Sequence, residues 1–298
     1  MSLRAHILGA AAGGGLPQWN CGCAICQRAR KGEIPPQTQS SLAVTGDGEN
    51  WAILNASPDI RLQLAQTPAL YPTGLRSLPL SSVLLTNGDI DHIAGLLSLR
   101  ERQPFTLFAT QGILDVLARN PIFDALDPEI VRRVAIALEQ RFDLSPGLAA
   151  SLFPVPGKVP LYLEGEEVET DLIGEQTVGV MLEAAGRRAF YVPGCASLNA
   201  DLSQRLSGAA LVFFDGTLWR DDEMICAGLG QKTGRRMGHM PVSGPEGTIA
   251  ALAPLNIQRK IFVHMNNTNP LLCPDAPERA EAEAAGWEIG QDGMEIAL

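Results

Sequence analysis

Short, nearly continuous apolar runs recur along this chain, and they constrain its fold more than any other feature. They fall at residues 3–8, 51–55, 82–86, 105–109, 188–192, 210–214 and 260–264. Runs this short, with little polar alternation, predict strands covered on both faces. Helical patterns stand between several of them, at residues 93–102, 245–253 and 276–285. A further helix is expected to start at Asp127-Pro128-Glu129, with Asp as its cap and Pro in its first turn. Residues 148–180 read as β-rich with turns. Sheets held between helices bury such strands, so an α/β layout is expected. No linker, repeat or low-complexity tract divides the chain, and residues 1–298 are expected to form a single domain.

Composition narrows the function classes. The hydrophobic fraction of 46% is ample for a buried core. The formal net charge is −10 and no dense Lys/Arg run occurs, which argues against a nucleic-acid partner. No apolar run approaches the roughly 18 residues that a membrane helix needs. The apolar start runs into Gly13-Gly14-Gly15, too glycine-rich for a signal-peptide core. The expectation is a cytoplasmic protein with no membrane partner.

Three of the six cysteines, Cys21, Cys23 and Cys26, form a C-x-C-x-x-C unit. In a long cytosolic chain such clustering points to metal before disulfide, and zinc is the usual occupant. The plainer alternative is a set of ordinary or redox cysteines. Only three ligands are local, so a fourth must come from elsewhere. A site so closed is structural.

A second cluster lies where the run at 82–86 gives way to Asn87-Gly88-Asp89-Ile90-Asp91-His92. Ligands gather at such strand ends in open α/β sheets. His264 ends the run at 260–264, Asp215 closes the run at 210–214, and His239 lies in a loop before a helix. Taken singly, each is more readily a capped or hydrogen-bonded residue. Together, Asp91, His92 and His264 read as a metal set, while His6, inside the first run, reads as structural.

The loop Thr86-Asn87-Gly88-Asp89-Ile90-Asp91-His92 resembles the metallo-β-lactamase signature Thr-His-x-His-x-Asp-His, with Asn87 and Asp89 in place of its first two histidines. The cysteine unit resembles that of the branch holding the phosphodiesterase of the carbon–phosphorus lyase pathway. The full set of motifs resembles the B family of pyrroloquinoline quinone (PQQ) biosynthesis proteins. Its carriers are residues 9–15 and 17–21, Asn55-Ala56-Ser57-Pro58-Asp59, residues 154–158, Gly238-His239-Met240-Pro241 and residues 264–270.

The resemblance implies an αββα sandwich with a metal pocket on one rim. It also implies a role in making the quinone from a Glu–Tyr peptide. One family assignment is iron-dependent hydroxylation of the tyrosine ring; an older one is carriage of the cofactor or its precursor towards the periplasm. The departures bear on the choice. Asn87 and Asp89 replace histidines, Tyr191-Val192-Pro193-Gly194 lacks the usual bridging Asp, and Pro156-Gly157-Lys158 offers no histidine. A two-zinc hydrolytic centre is therefore the least favoured reading.

Asp91, His92 and His264 make two histidines and one carboxylate, a set suited to non-haem Fe(II). Asp89 is a further ligand or an orienting residue. His239 and Asp215 are candidates for substrate binding or proton transfer, and His239 is also a candidate ligand. In the phosphodiesterase relatives, a His three residues after the last active-site His completes the zinc. Here that position is Asn267, with Cys273 or a water as alternatives. The expected partners are a peptide-derived Glu–Tyr substrate or a PQQ-like quinone, other PQQ biosynthesis proteins, and a second copy of the chain in a homodimer.

Overall fold

The apolar runs become the strands of two seven-stranded sheets in a computed structural model that describes residues 2–298. In chain order the strands are β1 (Arg4–Gly9), β2 (Ser41–Thr45), β3 (Trp51–Leu54), β4 (Leu80–Leu84), β5 (Phe105–Ala109), β6 (Val131–Ala135) and β7 (Arg141–Ser145). They continue with β8 (Leu148–Pro154), β9 (Val178–Ala184), β10 (Arg187–Val192), β11 (Leu211–Asp215), β12 (Lys260–Val263), β13 (Trp287–Ile289) and β14 (Glu295–Ala297). One sheet runs β14-β1-β2-β3-β4-β5-β6 and the other β13-β12-β11-β10-β9-β8-β7.

Both sheets follow one plan. The pairs from β14 to β3 and from β7 to β10 are antiparallel; those from β3 to β6 and from β10 to β13 are parallel. Parallel neighbours need crossovers. Helices Ile60–Gln66, Gln111–Ala118, Ala200–Leu206, Thr248–Leu252 and Pro277–Ala284 supply them. The layers run helix, sheet, sheet, helix. Strands β2, β3 and β11 are therefore buried at every position. Polar groups that enter the core between the sheets include paired ones: Ser82 Oγ donates to Leu144 O at 2.6 Å, and Ser40 Oγ lies 3.2 Å from Tyr191 OH.

The parallel halves bring the ends of β3, β4, β10, β11 and β12 together, and the loops that follow them build the site. The glycine-rich segment after β1 laces the two sheets. Ala12 N donates to Met265 O at 2.7 Å, and Met265 N donates to Ala10 O at 2.9 Å.

Some elements depart from the expected pattern. Asp127 does cap a turn, with its Oδ1 accepting from Glu129 N at 3.0 Å, but no helix follows. The chain enters β6 at Val131 and pairs in parallel with β5 from Phe105↔Val131 onward. A cap signal closes one turn equally well before a strand, and sheet pairing overrides the local preference. The helix expected over 93–102 is a turn at Ile90–Ile93 followed by a 3-10 stretch, Ala94–Leu99. A side chain on Gly95 would overlap the Ser57 and Ala56 carbonyls, so this segment lies against the chain beyond β3. The helix expected over 245–253 begins at Thr248. Among the described residues, no helix is long and apolar enough to cross a membrane.

The β12 strand is anchored by Phe262, which is fully buried and stacked on Trp287 with ring centroids 3.8 Å apart. Phe262→Ala should cost about 3–5 kcal/mol of stability. The check is a fall in the urea midpoint with an unchanged slope.

Candidate metal centre

The loop after β4 is held from its first residue. Asn55, in the left-handed region at φ 62°, receives Thr86 N at 2.9 Å on its Oδ1 and donates its Nδ2 to Thr86 Oγ1 at 2.9 Å. One residue on, Asn87 Oδ1 accepts from Asp89 N at 3.0 Å and faces His92 Nδ1 at 2.7 Å. An amide oxygen only accepts, so the His92 proton sits on Nδ1 and Nε2 carries the lone pair. That Nε2 is buried without a hydrogen-bond partner and lies 4.0 Å from Asp91 Oδ2.

His264, at the end of β12, is held in the same manner from the other sheet, at φ 59°. Thr217 Oγ1 lies 2.6 Å from Asp215 Oδ1 and 2.8 Å from His264 Nδ1. The hydroxyl gives its proton to the carboxylate and accepts from the ring, so His264 Nε2 is left facing Asp91 Oδ2 at 3.1 Å. Two imidazole lone pairs and a carboxylate thus converge, with ligand atoms all within 4.8 Å. Only a proton or a cation between them satisfies such a set. The residues present fit a divalent metal.

The electrostatics follow. Burial lowers the His92 pKa to about 4, so that ring is neutral at pH 7. Burial acts to lower His264 too, but its hydrogen bond to Asp91 and the charges of Asp91, Asp215 and Asp89 raise it. Asp91 is half-buried, and desolvation opposes its ionisation, yet the two histidines hold its carboxyl below the usual carboxylate range. Asp89, two residues before Asp91, makes no side-chain cap bond; burial and the neighbouring Asp91 charge raise its pKa.

Asp215, His239 and His264 form a second group whose ligand atoms lie within 4.8 Å. The Asp215 carboxylate is already fully engaged there. Its Oδ1 accepts from Thr217 N at 3.0 Å and Thr217 Oγ1 at 2.6 Å; its Oδ2 accepts from Cys195 N at 2.9 Å and His239 Nδ1 at 2.7 Å. Four donors fill four lone-pair positions, leaving none for a metal. Asp215 instead orients His239, whose ring stacks on His264 with centroids 5.2 Å apart and whose Nε2 is left free. Thr217 leaves no signal in the sequence, because a threonine two residues past a strand-end Asp is no recognisable motif. In the sequence Asn87 reads only as a missing histidine, whereas in the fold its amide oxygen sets the His92 tautomer. His6 packs edge-to-face on Trp51.

The cysteine unit sits at the start of helix Ala24–Arg30, where Cys23 Sγ caps Cys26 N at 3.4 Å. The Asn267 amide enters the same spot, with Nδ2 3.2 Å from Cys21 Sγ, 3.3 Å from Cys26 Sγ and 3.7 Å from Cys23 Sγ. Either end of an amide can occupy such a position. Burial, with Cys23 beside it, pushes the Cys26 thiol up to about 11, whereas hydrogen bonds from Cys23, Cys26 and Asn267 outweigh burial at Cys21 and lower it. Three adjacent sulfurs ionise together only around a cation, so this donor set also fits a metal. Cys273 lies outside the group of sulfurs within 4.8 Å of one another.

A cavity of about 360 Å³ opens over Asp91, His239 and His264. Leu161, Met224 and Met237 form its apolar wall, and Lys158, Glu164 and Lys232 lie on its rim. The Glu164 carboxylate sits 2.9 Å from Lys158 Nζ, 3.1 Å from Arg236 Nη2 and 3.6 Å from Lys232 Nζ. Burial opposes ionisation, but these cations pull the Glu164 pKa down to about 2.

The beta-lactamase superfamily domain matches residues 50–265. Coenzyme PQQ synthesis protein B of Ruegeria pomeroyi is 60% identical over 98% of this chain and 99% of its own length. The protein of the same name from Rhizobium meliloti is 57% identical over 99% of this chain and 98% of its own. The crystal structure of Zn(2+)-bound PqqB from Methylobacterium extorquens superposes with a TM-score of 0.97 at 53% identity, covering 99% of this chain and 100% of that one. A diphosphatase of the PhnP family shares the fold, with a TM-score of 0.69 at 19% identity over 100% of this chain and 98% of its own.

Asn87→Ala removes the acceptor that fixes the His92 tautomer, and should weaken metal binding roughly 10–100-fold. Asn87→Asp keeps an acceptor and should lose less. Chelator competition with Co(II) reads both. For Glu164, the folded pKa near 2 lies below an unfolded value of about 4.3. Its contribution is therefore fully present above about pH 4.3 and is lost as pH falls towards 2. Glu164→Gln should cost about 1–2 kcal/mol at neutral pH, allowing for solvent screening of its more exposed partners. Urea titrations from pH 7 to 2.5 should show the two proteins converging as acid is added.

Proposed function

The chain belongs to the PQQ synthesis B family of the beta-lactamase superfamily, and serves PQQ biosynthesis; from this premise we propose that it is an iron-dependent hydroxylase of the tyrosine ring in a cross-linked Glu–Tyr precursor. The observation that carries the reading is the pairing of an open two-histidine, one-carboxylate set with a saturated Asp215. Asp91, His92 and His264 offer one metal position, and Asp215 has no lone pair left to help build a second. That donor set suits ferrous iron and not a two-zinc hydrolytic centre. Bound there, iron would supply the dioxygen chemistry that ring hydroxylation requires.

The chain's own residues do the rest. Asn87 and Thr217 hold the two imidazoles by their Nδ1 atoms, so that each Nε2 points at the metal position. His239, gripped by Asp215, presents Nε2 as a base for the phenolic proton of the ring. Leu161, Met224 and Met237 line the cavity and offer an apolar face to an aromatic ring. Cys21, Cys23, Cys26 and Asn267 would hold a structural zinc, which would tie the segment after β12 to the N-terminal helix. The zinc in the M. extorquens relative supports a zinc-binding chain.

The test joins element-resolved metal analysis to oxygen uptake. Protein loaded anaerobically with iron should consume oxygen with the cross-linked Glu–Tyr compound. Asp91→Ala and His264→Ala should lose that uptake and the iron while keeping the zinc. Cys23→Ser should lose the zinc. Equal turnover in the Asp91 and His264 variants would sink the proposal. Quinone binding without turnover in any metal state would favour a carrier, and phosphodiester or lactone cleavage by a two-zinc form a hydrolase.

A further inference from the structure

The cavity over the metal position carries a second kind of chemistry on its rim. Three cations, Lys158, Lys232 and Arg236, surround a single internal carboxylate, Glu164. In a chain of net charge −10, such a local excess of positive charge needs a reason. Arg236 directs two nitrogens at Glu164, at 3.1 and 3.5 Å, so its role is to hold that acid in place. The two lysines keep donors in reserve. Lys158 is 11% exposed and has three N–H donors, of which Glu164 Oε1 at 2.9 Å and Val159 O at 3.2 Å take two. Lys232 Nζ stands 3.6 Å from Glu164 Oε2, beyond hydrogen-bond length, so its donors are uncommitted. Both lysines line the cavity that holds His239 and His264. The Lys158 stem is fixed there: a Cβ on Gly238, the residue before His239, would lie 3.2 Å from Lys158 Cγ. The other acids facing the cavity, Asp89 and Asp91, flank the metal position, where a bound cation offsets them.

We propose that Lys158 and Lys232 form a carboxylate-binding wall: each offers a free N–H donor to a carboxylate of the ligand in this pocket, and together they decide which ring compounds it accepts. Glu164 occupies the same cations from within and shows that the nest accepts a carboxylate. The inference rests on the reading of this pocket as the substrate site, but it concerns recognition and needs no turnover.

The experiment is equilibrium binding to the full-length, zinc-loaded protein by calorimetry. The probes are PQQ, its trimethyl ester, and benzene-1,3,5-tricarboxylate. Lys158→Met and Lys232→Met should each raise the Kd for PQQ about tenfold, the loss of one charge-assisted contact. Lys158→Arg should retain most of the affinity. Added salt should weaken PQQ binding to the wild type more than to the variants. The trimethyl ester should bind weakly and alike to all four proteins, which separates lost charge from a damaged pocket. Lys232 is 41% exposed, so its variant keeps the test valid if Lys158→Met fails to fold.

Unchanged PQQ affinity in a folded Lys232→Met protein overturns the proposal and leaves the hydroxylase reading standing. Lysine-dependent binding of the benzene tricarboxylate without binding of PQQ upholds the wall and removes the PQQ-pathway substrate from this pocket. Binding of neither anion overturns the wall.

Discussion

The contact between Asp91 and His264, 3.1 Å across the junction of the two sheets, is the interaction on which the site depends. Asp91 belongs to the loop after β4, and His264 ends β12, so the contact exists only because the parallel halves of both sheets end at one place. His264 is buried and Asp91 half-buried, and in such surroundings a lone carboxylate, or a lone pair facing another acceptor, is costly. The protein meets that cost with secondary partners on every ring. Asn87 and Thr217 hold the Nδ1 atoms of His92 and His264, and Asp215 holds that of His239. His92 and His264 thereby turn the same ring nitrogen, Nε2, towards Asp91.

The two metal-competent clusters are joined by a short stretch of backbone. His264 serves one and Asn267 the other, while Met265 between them pairs with Ala10 and Ala12. His264 carries a positive φ, a conformation that a non-glycine residue keeps only when its surroundings over-determine it. The pairing with the N-terminal segment on one side and the thiol cluster on the other supply that determination. A metal in the cysteine cluster would thus stiffen the backbone that carries His264, although the two sites share no ligand.

The scaffold itself says little about chemistry. A diphosphatase with 19% identity has the same fold, and function has to be argued from the groups at the strand ends. Here the decisive group is the acid that is not free. Asp215 lies in a metal-competent geometry, yet four hydrogen bonds use all its acceptor capacity. An aspartate that orients histidines has the same letter as one that bridges two metals, and only its donors tell them apart.

Much of this was legible in the residues. Runs such as 51–55 and 260–264 had to be buried on both faces, because an apolar run that short has no polar side to expose, and layered sheets followed. The C-x-C-x-x-C spacing brings three sulfurs together through local chain geometry alone. Asp91 and His92 are neighbours for the same reason. Tertiary structure decided what depends on long-range pairing: that residues after Asp127 form an edge strand, that Thr217 and Asn87 set the ring tautomers, and that Lys158, Glu164, Lys232 and Arg236 share one rim. The physical reason is separation along the chain. A contact between loops of two sheets, such as that between residues 91 and 264, leaves no period or spacing in the sequence, and hydrogen-bond saturation of one carboxylate leaves none either.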